Sequence, residues 1–216
     1  GPRINAGGRV GKSDLGVRLL TSTDPEEART IAIELDRLNE ERRAIETLVT
    51  EQAIAQAEEQ ADASVIADMG GGWHPGVIGI VAGRLKEKLG RPAIVIAIGE
   101  DGIGKGSGRS IAGVDLGAAI LAAKEAGLLI AGGGHAMAAG VTVAEGQIAE
   151  FAAFLEAKLA ETVERASGER ALLLDAVLAP GGVNPDLVNA MEAGGPYGMG
   201  WPAPRVAAVL SRLATT

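Results

Sequence analysis

Between residues 24 and 62 the apolar positions fall into one stripe. Ile31, Leu35, Leu38, Ile45 and Val49 recur at spacings of three, four and seven, which is the period of a helix face. Asp24 precedes Pro25, Glu26 and Glu27, so a capping side chain, a first-turn proline and two acids stand together at the start. No Gly or Pro interrupts the stretch before Asp62. The pattern predicts a helix of roughly 35 residues, about 50 Å long at 1.5 Å per residue. That exceeds what a small domain needs, so it reads as a connector between two lobes or as a coiled-coil arm. The Gly-rich, basic residues 1–23 read as a loop, with a short helix near residues 13–20.

Downstream the period alternates between strand and helix. Strands are expected at 63–67, 92–98, 103–111 (as a strand or hairpin), 128–131, 139–143 and 172–178, with a final one from Pro204 to Leu210. Helices are expected at 77–89, closed by Gly90, at 115–126, closed by Gly127, and at 147–166, with a short one opened by Asn184, Pro185 and Asp186. The fold class is α/β, a central mixed sheet flanked by helices. Residues 1–62 form the lead-in and long helix, 63–167 the sheet domain, and 168–216 the start of another domain. The last strand finds no partner in this reading, and the chain begins at Gly-Pro. Both features predict a piece of a longer protein.

Composition narrows the partners. The 216 residues are 47% hydrophobic but only 2% aromatic, so the core must be built from aliphatic side chains. The net charge of −8 excludes a broad basic face for duplex DNA. The shortage of aromatics argues against an extended base-stacking platform. With no cysteine there is neither a disulfide nor a thiolate metal site, which fits a reducing cytoplasm. No apolar run reaches bilayer-spanning length and no signal peptide is visible. The 32 glycines gather at segment joints, which marks functional loops.

Three Gly-rich segments carry the candidate chemistry. Gly132-Gly133-Gly134-His135 is poor material for a packed helix or strand, since glycine loses the most backbone entropy on folding. It is expected as a loop whose bare amides approach a phosphate, with His135 as a directional donor; a tight strand crossing with an incidental histidine is the alternative. Lys105-Gly106-Ser107-Gly108-Arg109-Ser110 alternates glycine with cations and hydroxyls, so one side of a strand presents them together. It lacks the spacing of a Walker phosphate loop; a solvated hairpin tip is its alternative. Trp73-His74-Pro75-Gly76 leads into a helix N-terminus, where an anion is favoured; alternatively His74 caps that helix and Trp73 staples it to the core. If the three converge they form a phosphate-holding half of an active site. No metal-ligand cluster and no nucleophile–base–acid set is apparent.

Taken with Arg3-Ile4-Asn5-Ala6-Gly7-Gly8-Arg9 and the Leu38–Arg43 stretch of the long helix, these segments resemble, in order, the bacterial RecJ family of the DHH phosphoesterase superfamily. Residues 195–200, Gly-Pro-Tyr-Gly-Met-Gly, resemble that family's entry into an OB-fold. The resemblance implies a DHH-associated domain preceded by a linker helix and followed by an incomplete OB-fold. It also implies a separate DHH domain, outside this chain, that holds Mn²⁺ or Mg²⁺. On that basis His135 and Arg109 act at the reacting phosphate. Lys105, Ser107, Gly133 and Gly134 bind phosphates, Asn5 and Arg9 line the cleft entrance, and His74 is a weaker candidate. No residue of the chain is assigned to metal and no cofactor is expected in it.

The implied activity is 5′-to-3′ exonuclease action on single-stranded DNA in cytoplasmic repair and recombination. Expected partners are single-stranded DNA, the DHH domain in cis, and a helicase or single-strand-binding protein; no membrane is expected. The chain alone is expected to be inactive. Two other readings share the site: a superfamily phosphodiesterase acting on oligoribonucleotides or cyclic dinucleotides, and a non-catalytic nucleic-acid-binding module.

Overall fold

The computed structural model describes residues 1–168, 172–198 and 200–208. The chain divides into two compact units, Gly1–Glu169 and Arg170–Thr216.

In the first unit, α1 (Pro2–Val10) and α2 (Leu15–Thr21) lead to the long α3 (Pro25–Glu59). Asp24 caps α3 by accepting from the Glu26 amide at 3.0 Å. The residues before α3 were expected as a loop with one short helix. They form two helices because Pro2 starts the first turn and Ala6 and Gly7 are buried beneath α3. A Cβ on Gly7 would lie 3.1 Å from Leu35. α3 is no free coiled-coil arm. Its first half buries Ile31, Leu35 and Leu38 against Ala6 and Leu15. Its second half buries Val49, Ala53 and Ala57 against Trp73, Val77 and Val81.

Strands β1 (Ile66–Gly71), β2 (Ala93–Ile98), β3 (Ile103–Arg109), β4 (Ala131–His135) and β5 (Ala138–Ala144) form one mixed sheet in the order β1-β2-β3-β5-β4. β1 and β2 are parallel; the other pairs are antiparallel. Helix α4 (Ile78–Leu89) crosses between β1 and β2, and the left-handed Gly90 ends it. Helices α5 (Leu116–Glu125) and α6 (Ile148–Gly168) cover one face, where Ile94, Ile96, Val141 and Val143 meet Leu116, Ile120, Phe151 and Leu155. Burying each such side chain contributes about 1.5–3 kcal/mol. On the other face α3 and α4 cover Ile66, Ala93, Val95 and Ala97. α4 also packs on part of β3, and beyond it the same face over the rest of β3, β5 and β4 stays open: Lys105, Gly133, His135 and Gly140 are exposed there.

β1 runs later than the expected 63–67, and the loop after it begins at Gly72. Side chains of α3 line its outer edge. Gln60 accepts from the Ala67 amide, Gln56 pairs with the amide and carbonyl of Met69, and Gln52 accepts from the Trp73 indole at 2.7 Å. Glutamines one turn apart thus satisfy a strand edge that would otherwise be bare.

The Gly-Gly-Gly-His run corrects its own expectation. It is not a loop between two strands but strand β4 itself, joined to β5 by the two-residue turn 136–137. Tertiary packing supplies the reason. A Cβ on Gly132 would meet Leu129 and Ile120 at 2.9 and 3.0 Å, and one on Gly134 would collide with the Ala138 carbonyl. The glycines let an edge strand lie close against α5 and β5.

In the second unit, β6 (Ala176–Leu178) and β7 (Val206–Ala208) pair in parallel, and α7 (Pro185–Ala193) is capped by Asn184 on the Leu187 amide at 2.9 Å. The final strand was expected to lack a partner; β6 is its partner. The expected continuation to Leu210, and Met199 of the glycine-rich turn, lie outside the described residues.

Candidate functional site

The alternation in Lys105-Gly106-Ser107-Gly108-Arg109 has opposite causes on its two sides. Gly104, Gly106 and Gly108 face the core, where an added Cβ would strike Ile96, Val141 and Leu116. Lys105, Ser107 and Arg109 therefore share the open face. Antiparallel register extends them into three cross-strand rows: Lys105–Thr142–Ala131, Ser107–Gly140–Gly133 and Arg109–Ala138–His135. Directly paired residues project from one face, so His135 and Arg109 lie on the same side, two strands or about 10 Å apart.

A cavity of about 570 Å³ opens over this face. Arg9, Lys105, Ser107 and Arg109 line it, together with Gly76 and Gly79. Three of these side chains are cations and no carboxylate is among the lining residues. Arg109 Nη1 donates to Ser107 Oγ at 3.1 Å and to the Gly108 carbonyl at 2.8 Å, which fixes the guanidinium plane. Arg9 Nη1 donates to the Gly76 carbonyl at 3.0 Å, which ties the end of α1 to the loop before α4. Lys105 Nζ donates to Thr142 Oγ1 at 3.1 Å. Gly79, in the first turn of α4, sits so close that a Cβ there would be 3.0 Å from Ser107 Oγ and 3.1 Å from Arg109 Nη2. Unpaired amides at a helix start favour negative charge. Gly140 lines the cavity without a side chain, and its cross-strand neighbour Gly133, just outside it, is equally bare: a Cβ there would meet nothing within 4 Å.

The expected residues thus separate into groups. Arg9, Lys105, Ser107 and Arg109 come together. Gly133, Gly134 and His135 line an adjacent groove of about 430 Å³ with Asp115, Gly117 and Leu121, not the Arg109 cavity. One convergent pocket was expected; β4 being an edge strand places its far side against the start of α5 instead. Asn5 is exposed on α1, one turn before Arg9, and lines neither space. His74 does not cap α4. Its Nδ1 accepts from the Gly76 amide at 3.0 Å and shapes the loop, while Val77 begins the helix. Trp73 is buried, and Gly70 is required beneath its ring. Ser110 turns inward and donates to the Val114 carbonyl at 2.8 Å. Among the described residues no three His, Asp or Glu side chains gather as metal ligands, and no helix is long and apolar enough to cross a membrane.

Three features had no warning in the residue pattern. Thr142 shares the Lys105 row. Glu46 on α3, almost fully buried, takes both Arg42 and Arg84, and so joins α3 to α4; Asn39 Oδ1 accepts from Arg42 at 3.0 Å. Asp68 is fully buried with one carboxylate oxygen unpartnered and the other accepting from Gln60 at 2.7 Å. Burial pushes its pKa up to about 7.

Comparison with known proteins places this geometry. Residues 62–161 match the model of the DHHA1 domain. The single-stranded-DNA-specific exonuclease RecJ of Dickeya dadantii is 37% identical over 94% of this chain, and that of Bacillus subtilis 37% over 95%. The chain spans only 37% and 26% of those relatives' lengths. The crystal structure of RecJ from Thermus thermophilus in complex with Mg²⁺ superposes with a TM-score of 0.80 at 34% identity, covering 94% of this chain and 31% of that one. Its Mn²⁺ complex gives 0.81. Fold, order of segments and likeness agree: residues 62–161 resemble a DHHA1 domain, in a chain that is similar to RecJ proteins over nearly its whole length.

Proposed function

We propose that this chain is the phosphate-gripping part of a metal-dependent 5′-to-3′ exonuclease that degrades single-stranded DNA in repair and recombination in the cytoplasm. The observation that carries the reading is the Arg9–Lys105–Ser107–Arg109 cavity: three cations, a hydroxyl and the start of a helix on one face, with no carboxylate among them. Phosphodiester cleavage develops negative charge on the phosphoryl oxygens, and fixed donors stabilise it. Arg109 and His135, at the two ends of one cross-strand row, act nearest the reacting phosphate. Arg9, Lys105 and Ser107 hold the backbone, with Asn5 one turn outside. Gly133, where a Cβ would meet nothing, leaves the adjoining groove open so that a sugar–phosphate chain can approach, and Gly134 lines the same groove with backbone.

On this reading the metal ions, Mg²⁺ or Mn²⁺, are held by residues of a DHH domain outside this chain; the similar RecJ structures from Thermus thermophilus are complexes with these two ions. The described part of the second unit, residues 172–198 and 200–208, belongs to the opening of an OB-fold, and a helicase or single-strand-binding protein delivers the substrate. Similarity over 94% of the chain to relatives named as single-stranded-DNA-specific exonucleases favours this reading over other phosphodiesterases and over a non-catalytic module.

Binding of a fluorescent oligothymidylate to the 216-residue chain tests it. Affinity should fall with salt at a slope of about −2, for three cations at roughly −0.7 each on a single strand. Arg109→Ala should weaken binding about tenfold, or ~1.4 kcal/mol. Salt-independent binding, or full affinity in Arg109→Ala, refutes the assignment.

A further inference from the structure

The cavity over β3 continues past Lys105. A second cleft of about 440 Å³ shares Pro75 and Lys105 with the first and lies at the ends of β1 and β2. Its walls include Trp73, Ile98 and Ile103, and His74 lies in it. Along β3 the open-face residues Arg109, Ser107 and Lys105 step by about 6.6–6.8 Å per pair of residues. That step is comparable to the separation of successive phosphates in a stretched strand. We propose that this second cleft is a subsite for the second nucleotide of the bound strand, with His74 Nε2–H and Lys105 Nζ as its phosphate donors; the proposal rests on the phosphate reading of the first cavity.

The Gly76 amide donates to His74 Nδ1 at 3.0 Å, so that nitrogen is an acceptor and the neutral ring carries its proton on Nε2. The loop bond thereby prepares a donor that the protein does not use among the described residues. Lys105 reaches both spaces, so it bridges two successive phosphates. Two acids also line the second cleft, Glu100 and Asp101, at the β2–β3 turn. Asp101 Oδ1 is occupied by the Ile103 amide at 3.0 Å. Their charge repels a phosphate from that end and confines it to the His74–Lys105 side, while the apolar walls receive the sugar and base.

Calorimetric titration of the 216-residue chain with 5′-thymidylate, then with the 5′-phosphorylated thymidine dinucleotide and trinucleotide, separates the two subsites. The dinucleotide should bind at least tenfold more tightly than the mononucleotide, with little further gain from the third residue. In His74→Asn the amide Oδ1 replaces Nδ1 and keeps the loop bond but leaves nothing at Nε2. That variant should bind the mononucleotide as before and lose the dinucleotide step. His74→Gln, which restores an N–H near the Nε2 position, should recover part of it. Mononucleotide binding without a dinucleotide gain, or a gain that survives His74→Asn, overturns the second subsite while the first cavity stands. Failure of every thymidylate to bind overturns both.

Discussion

Asp68 is the residue whose environment conflicts most with its chemistry. Its carboxyl is fully buried in the core under α3, with one oxygen bonded to Gln60 and the other bare. Desolvation raises its pKa from 3.8 to about 7. The folded state therefore holds the proton more tightly than the unfolded chain does. Between pH 3.8 and about 7 the native state binds more protons, so stability falls as pH rises through that window and is flat above it. The total is on the order of a few kcal/mol, at ~1.4 kcal/mol per unit. Asp68→Asn abolishes this titration. Its melting temperature should exceed the parent's by a margin that widens from pH 4 to pH 7 and is constant beyond; parallel curves would show that Asp68 does not titrate there. Nothing in the residue pattern signals this, since an aspartate near a strand start reads as a surface residue.

At the scale of elements, glycines in β3, β5 and β4 have two unrelated purposes. Gly106 faces the core, where a Cβ would collide with Val141 and lie 3.1 Å from Ile96. Gly106→Ala should cost about 1–3 kcal/mol by overpacking, read as a lowered urea midpoint. Gly133 faces the open side, where a Cβ meets nothing. Gly133→Ala should leave the midpoint nearly unchanged while weakening oligothymidylate binding several-fold, and equal effects of the two substitutions on stability would contradict this division. The alternation in β3 was readable because period two is a local property. That Gly132-Gly133-Gly134-His135 forms a strand was not, because glycine's poor intrinsic preference is overridden by pairing with β5 and by the close approach of α5.

At the scale of the whole first unit, α3 is the common wall of two cores. The N-terminal core carries Arg9, and the sheet carries Lys105, Ser107 and Arg109, so the cavity depends on how α3 holds both. Between the two cores lies the Arg42–Glu46–Arg84 group, with Glu46 only 3% exposed. Removing the acid strands a buried guanidinium. Glu46→Ala should therefore cost about 3–5 kcal/mol, and Arg84→Ala much less because Arg84 is about half exposed. Amide exchange should quicken in α1 and α4 together in Glu46→Ala. Faster exchange in α4 alone would show that the cores are not coupled through this group. In sequence, Arg42 and Glu46 are an ordinary i, i+4 pair on a helix surface; only the packing of α4 across them makes the pair a buried one.

Local pattern alone determined the long capped helix, the alternation of strands and helices, and the candidacy of Lys105, Ser107 and Arg109. Each of these follows from period, capping chemistry or alternation within a few neighbouring residues. The tertiary structure decided that Arg9 joins those three, that His135 faces an adjoining groove, that the glycine run is an edge strand, and that Glu46 and Asp68 are buried. These depend on which surfaces meet across 67 residues, as between Arg9 and Gly76, and no local signal encodes a meeting that only the packed cores enforce.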